Sequence, residues 1–280
     1  MHFLFLVTVL VYLAASIFQA GYLVLGKQTE TPALRPTIAH IAYAITCLGF
    51  GLLTLFIVVW WTQQGHFPMT RWTDSTAFFA WAITLIYLIV GRIPHLRAIG
   101  SFIMPLAFIT ILISYSFSRG TSELPDNLET YWLVPHVTLI LFSYAAFITA
   151  FGFGLMFLLT EKKIRQKNHT PLYNILPSLG ASDEFGHRFA ILGVILLTVG
   201  VLIGALWTQY INDEVKWRWL DAKVLFTIVT WFIYVVQISI RQLWGWRGRK
   251  AAYSEIIGFI AVLCTYIGVN LFLDSVHTYR

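Results

Sequence analysis

Eight apolar runs set the limits on this chain. They lie at roughly 3–25, 38–62, 76–92, 98–118, 131–160, 188–211, 221–241 and 252–276, and consist mainly of Leu, Ile, Val, Phe, Ala and Gly. At 1.5 Å per residue, about 20 helical residues match the ~30 Å hydrocarbon core of a bilayer. Lipid offers no partner to backbone N–H and C=O groups, so runs of this kind fold as helices that satisfy their own hydrogen bonds. Their continuity also excludes a β-barrel, whose short strands alternate apolar and polar residues. Composition agrees, because only 11% of residues are charged where a soluble domain has about 25%, and the mean hydropathy is +0.73. The expected architecture is all-α: a polytopic membrane protein of eight transmembrane helices, forming one bundle over residues 1–280. The first run has no basic flank before it and no small-residue cleavage site after a short apolar core, so a retained helix is expected rather than a signal peptide.

Basic residues give the orientation. Lys27, Arg35, Arg92, Arg97, Lys162, Lys163, Arg165, Lys167, Arg188, Arg241, Arg247, Arg249 and Lys250 fall in odd-numbered connectors, thirteen of the nineteen Lys and Arg. The positive-inside rule then puts these connectors in the cytoplasm and both termini outside. The chain is expected to be a multi-pass protein of a bacterial cytoplasmic membrane. Its net charge of +6 is accounted for by cytoplasmic clusters that meet anionic lipid, and no nucleic-acid partner is needed. The stretch at about 161–187 reads as a basic cytoplasmic loop, with room for a short amphipathic segment, and 119–130 as a solvated turn.

Conventional catalytic chemistry is missing. Cys47 and Cys264 are isolated, so there is no disulfide framework, no CxxC pair and no CxxCH for covalent haem. No HExxH or GxSxG motif occurs, and no catalytic residue is expected. Asn270, Ser143, Tyr144 and Glu255 are polar residues in the spans and leave a secondary transporter as an alternative.

The outward histidines carry more information. His66 lies in the second connector, His136 at the outer start of the fifth span and His277 at the outer end of the eighth. A neutral imidazole among apolar groups is a natural axial ligand for haem iron, and it is equally an interfacial histidine bound to water or a carbonyl. Between the sixth and seventh spans, "KWRWLDAK" at 216–223 places Trp217 and Trp219 among Lys216, Arg218, Asp221 and Lys223. The indoles fit an aromatic belt or a wall against a porphyrin, and the cations suit haem propionates.

Four stretches resemble one family. The connector at about 211–222 with its flanks, "GALWTQYINDEVKWRWLDAKVLFTIVTW", is similar to the tryptophan-rich WWD signature of the haem-handling CcsA/HemX proteins of cytochrome c-type biogenesis. "GHFPMTRWTDSTAFFAW" at 65–81, "HVTLILFSYAAF" at 136–147 and "YIGVNLFLDSVHTY" at 266–279 resemble the family's outer loop, its LSYAAF helix and its C-terminal ending. The resemblance implies non-covalent haem b held outside by His136 and His277 as axial ligands, with Trp217, Trp219 and Asp221 in the haem-contacting segment and His66 in the matching loop. It also implies a CcsB (ResB-type) membrane subunit and an apocytochrome c as partners in cytochrome c assembly.

The match has departures. Leu220 separates the second tryptophan from Asp221, and Ala222 and Val224 stand where the family has Pro and Glu. Ser239 occupies the position of the family's intramembrane histidine, which leaves His40 and His187 as candidates for an inner site. These departures resemble the HemX branch, which implies a second role, regulation of haem biosynthesis through glutamyl-tRNA reductase, a cytoplasmic enzyme partner.

Overall fold

The computed structural model describes residues 2–28, 34–64, 67, 72–117, 132–166, 175–207 and 221–269. Eight α-helices account for nearly all of them: α1 (His2–Gln28), α2 (Leu34–Gln64), α3 (Trp72–Val90), α4 (Gly100–Phe117), α5 (Leu133–Arg165), α6 (Leu179–Trp207), α7 (Ala222–Trp244) and α8 (Arg249–Leu263). A 3₁₀ helix, Pro94–Ile99, precedes α4, and a π turn, Cys264–Gly268, continues α8. Seven helices are long and apolar enough to cross a membrane, and the apolar part of α3, Asp74–Val90, is shorter. No strand occurs among the described residues. The protein is an all-α, multi-pass membrane protein.

The helices form two groups of four, α1–α4 and α5–α8, which meet where α3 and α4 pack on α5. α5 is the most enclosed, with an almost unbroken buried run from Ser143 to Phe153. By contrast, α6 turns Leu192, Ile195, Val199, Leu202 and Leu206 outward, and α7 turns Leu225, Phe226, Ile228, Val229 and Phe232 outward. Exposed aliphatic faces would aggregate in water but cost nothing against lipid tails, so packing here depends on shape and polar contacts. Small residues supply the shape. On α6, Gly193 leaves room for Phe147, whose ring stacks on Tyr234 of α7 at 3.7 Å.

In the first group, polar contacts stitch the helices. The Tyr12 hydroxyl donates to Thr84 Oγ1 at 3.0 Å, and Gln19 Nε2 reaches Thr46 Oγ1 and the Tyr87 hydroxyl. In the second group, Trp231 Nε1 donates to Thr198 Oγ1 at 2.8 Å, and the Thr230 and Thr265 hydroxyls bond at 2.8 Å. Each satisfies groups that hydrocarbon cannot.

The connector between α5 and α6 is shorter than the sequence suggests. Of the stretch 161–187, residues 161–165 continue α5 and 179–187 open α6. Local interactions explain both extensions. The pair Glu161–Arg165, at 2.9 Å, supports the last turn of α5, while Ser178 Oγ accepts from Ala181 N and Glu184–Arg188 pair at 2.8 Å in α6. Hydropathy marks where lipid begins, and these helices project beyond it.

Asp183, in that projecting turn, holds three elements. Both its oxygens accept from the Arg241 guanidinium of α7, at 2.9 and 2.8 Å, and Oδ1 also accepts from Gly248 N at 2.8 Å. Gly245 and Gly248 have φ of 65° and 67°, a left-handed backbone that glycine adopts without a Cβ penalty, so the α7–α8 turn is tight. Side chains of the pair are only 9% and 14% exposed. Asp183→Ala strands the guanidinium and is expected to cost about 3 kcal/mol, as breaking a largely buried pair does. The Asp183→Leu/Arg241→Met double variant is expected to regain much of that loss, measured by thermal unfolding in detergent.

Candidate functional site

His136 is in the first turn of α5, and α6 passes beside it. Its Nδ1 lies 2.7 Å from the carbonyl oxygen of Gly200. A carbonyl only accepts, so Nδ1 carries the proton and the lone pair is on Nε2, the form in which imidazole ligates a metal. The approach depends on absent side chains. A Cβ at Gly204 would lie 2.6 Å from Nδ1 of His136, and one at Gly200 3.0 Å from a side-chain carbon of Ile140. Gly200 and Gly204 therefore form a GxxxG surface into which the imidazole fits.

Trp207, the last residue of α6, covers this end. Its ring centroid is 6.4 Å from that of His136, and it is buried with Leu133 while Val137 packs against both. The buried indole N–H finds no acceptor among the described residues. A donor in an apolar recess beside an imidazole suits a ligand with an apolar body and a few acceptors, and haem, with its carboxylate-bearing edge, is such a ligand.

Asp221 follows the connector from α6 and caps α7, its Oδ1 accepting from Lys223 N at 2.9 Å. It thereby ties the end of the connector to the first turn of α7 through the backbone. Lys216, Trp217, Arg218, Trp219, His66 and His277 lie outside the described residues. Topology nevertheless relates the segments that carry them. α6 ends beside the start of α5, so the 208–220 connector leaves from the His136 end of the bundle. The Tyr266 ring meets that of Tyr144 edge-on at 6.1 Å, and its hydroxyl donates to Thr76 Oγ1 at 3.4 Å, near the start of α3. The end of α8 therefore runs toward the end of the bundle where α3 and α5 begin.

The inner candidates do not gather. His40 is exposed on α2, which packs on α1 and α3, whereas half-buried His187 is on α6, which packs on α5, α7 and α8. The Ser239 hydroxyl donates within its own helix, to Val235 O at 2.8 Å. No group of three or more His, Cys, Asp or Glu forms a metal cluster among the described residues.

Gly200 and Gly204 were not singled out in the sequence, although "GVLIG" has the spacing that brings helices close. Gly204→Ala overpacks the recess and is expected to destabilise the protein by about 1–3 kcal/mol. At Gly51, where an added Cβ meets open space, the same change is expected to be neutral or to gain up to about 1 kcal/mol from helix propensity. Melting curves of the two variants in one detergent check the contrast.

Known proteins resemble this chain over most of its length. Residues 69–277 match the family described as "Cytochrome C assembly protein". A "Cytochrome c biogenesis protein CcsA" from Chlamydomonas reinhardtii is 32% identical over 238 residues, 81% of this chain and 65% of that protein. Proteins of the same name from Prochlorococcus marinus (strain MIT 9301) and Synechococcus sp. (strain CC9902) are each 30% identical, covering 84% and 88% of this chain and 83% and 87% of their own lengths. The chain thus spans just under two thirds of the algal relative and most of the cyanobacterial ones. With a match across three quarters of its length, from before α3 to beyond the π turn, the chain belongs to the cytochrome c assembly protein family.

Proposed function

We propose that this protein holds haem b non-covalently at the outer face of a bacterial cytoplasmic membrane, with His136 and His277 as the axial pair, and presents it for cytochrome c assembly. The observation that carries this reading is the hydrogen bond from His136 Nδ1 to Gly200 O, which fixes the ring and puts its lone pair on Nε2. Trp207 supplies an indole N–H to an acceptor in the same recess. Lys216 and Arg218 would hold the propionates, Trp217 and Trp219 would cover the porphyrin, and His66 would border the site from the neighbouring outer connector.

Each protein group has a defined task. His136 keeps its proton at Nδ1, the apolar residues Leu133, Val137 and Trp207 limit water at the recess, and Asp221 anchors the end of the tryptophan-rich connector. Bound haem supplies vinyl groups, to which the cysteine thiols of an apocytochrome c add. The protein itself contributes binding and presentation rather than catalysis, with a CcsB (ResB-type) membrane subunit completing the assembly.

Ser239 favours a second reading. A chain without the family's intramembrane histidine would keep haem outside and report haem status through its cytoplasmic connectors, in the HemX manner, to a haem-biosynthesis enzyme. Deleting the gene separates the two: cytochrome c loss follows from the first reading, and altered glutamyl-tRNA reductase abundance with intact cytochromes from the second.

The purified protein is expected to show a low-spin bis-His absorption spectrum, oxidised and dithionite-reduced. His136→Ala and His277→Ala should each give a high-spin or weakened spectrum, and the double variant should lose haem. Unchanged spectra and haem content in the double variant would refute the ligand assignment.

A further inference from the structure

At the far end of the α5–α8 group from His136, a cavity of about 110 Å³ opens between α6, α7 and α8. Glu255 of α8 forms part of its wall and is only 4% exposed. Glycines let the neighbouring helices close over it: a Cβ at Gly154 of α5 would lie 3.1 Å from the Glu255 Cβ, and one at Gly186 of α6 3.9 Å from Oε1. The side chain of Gln237 of α7 lines the cavity beside the carboxyl group. Glu255 Oε2 and Gln237 Oε1 are both buried and have no partner among the described residues.

Charge is only partly matched, by an arginine that is bound elsewhere. Arg241 lines the same cavity, but both its terminal nitrogens are committed to Asp183. A carboxylate withdrawn from water without a counter-charge costs several kcal/mol, roughly the desolvation penalty per buried ion. Two acceptor oxygens, one of them on an ionisable group, thus face a void with room for a few heavy atoms.

We propose that this cavity binds a primary ammonium group, whose N–H donors meet Glu255 Oε2 and Gln237 Oε1 and whose charge balances Glu255. An ammonium fits better than a metal ion, because no cluster of three or more ligating side chains gathers among the described residues. The cavity is far smaller than the roughly 300–1,000 Å³ of drug-sized ligand sites, so it takes the head of a molecule and not a porphyrin. An amine could arrive free or as the ethanolamine headgroup of a lipid, and the walls favour the lipid. Ile233, Val236 and Ile257 line the side facing hydrocarbon, with Ile257 57% exposed. Trp246 forms the rim, with Lys250 Nζ 5.2 Å from the centre of its ring and Arg247 next in sequence, which places cations where the headgroup phosphate would lie.

The test uses the full chain, purified in detergent and stripped of lipid, with the melting temperature read by tryptophan fluorescence. Phosphatidylethanolamine is expected to raise the melting temperature by several degrees, since a ligand of the native state stabilises it. Phosphatidylcholine, which has the same phosphate but no N–H on its nitrogen, is expected not to. The shift should vanish in Glu255→Gln and in Gln237→Leu, while the haem spectrum of both variants stays unchanged. A Glu255-dependent shift with methylammonium chloride but not with phosphatidylethanolamine identifies a free amine and keeps the ammonium assignment. No shift with either amine, a shift equal for both phospholipids, or a shift of the same size in whichever variants fold overturns it.

Discussion

Phe147 of α5 lies over Gly193 of α6 and stacks on Tyr234 of α7, which itself occupies the space left by Gly258 of α8. One aromatic pair therefore touches all four helices of the second group, and its contacts with α6 and α8 each require a glycine opposite a ring. In lipid this is the available route to tight packing, because bringing two apolar faces together removes no water. The same approach of α5 and α6, continued along Gly200 and Gly204, carries His136 to the carbonyl that orients it. Packing in the middle of the bundle thus sets the geometry at its outer end.

The two halves solve the buried-polar problem differently. In α1–α4 the tyrosine, threonine and glutamine groups largely bond to one another, as in Tyr12–Thr84 and Gln19–Tyr87. In α5–α8 several buried groups lack protein partners among the described residues, including Trp207 Nε1 near one end and Glu255 Oε2 and Gln237 Oε1 near the other. Unpaired polar atoms in a low-dielectric interior are costly, and most of those among the described residues lie in α5–α8, the half on which both proposals rest.

The fold was legible from the apolar runs because hydropathy reports directly on lipid contact, and all eight runs correspond to helices. Helix ends were less legible. α6 begins at Leu179 rather than near residue 188, since Ser178, the Glu184–Arg188 pair and the Asp183 clamp extend the helix past the apolar boundary. His136 was singled out from its chemistry and position. Its supports, Gly200 and Gly204, were not, because a glycine's importance here lies in what faces it across an interface. Asp221 was legible as part of the tryptophan-rich connector, whereas its cap on α7 shows only in the coordinates. Glu255 appeared as one polar residue in a span; its cavity needs three helices brought together before it exists.

The Gly200 carbonyl belongs to the backbone of α6, so the helix itself fixes its position against His136. An imidazole that shares its proton with such a carbonyl has more electron density at the opposite nitrogen. As an iron ligand it would stabilise the ferric state, drawing the midpoint potential downward. Were haem bound as proposed, holding it firmly and keeping it reduced would be opposing demands on the same hydrogen bond.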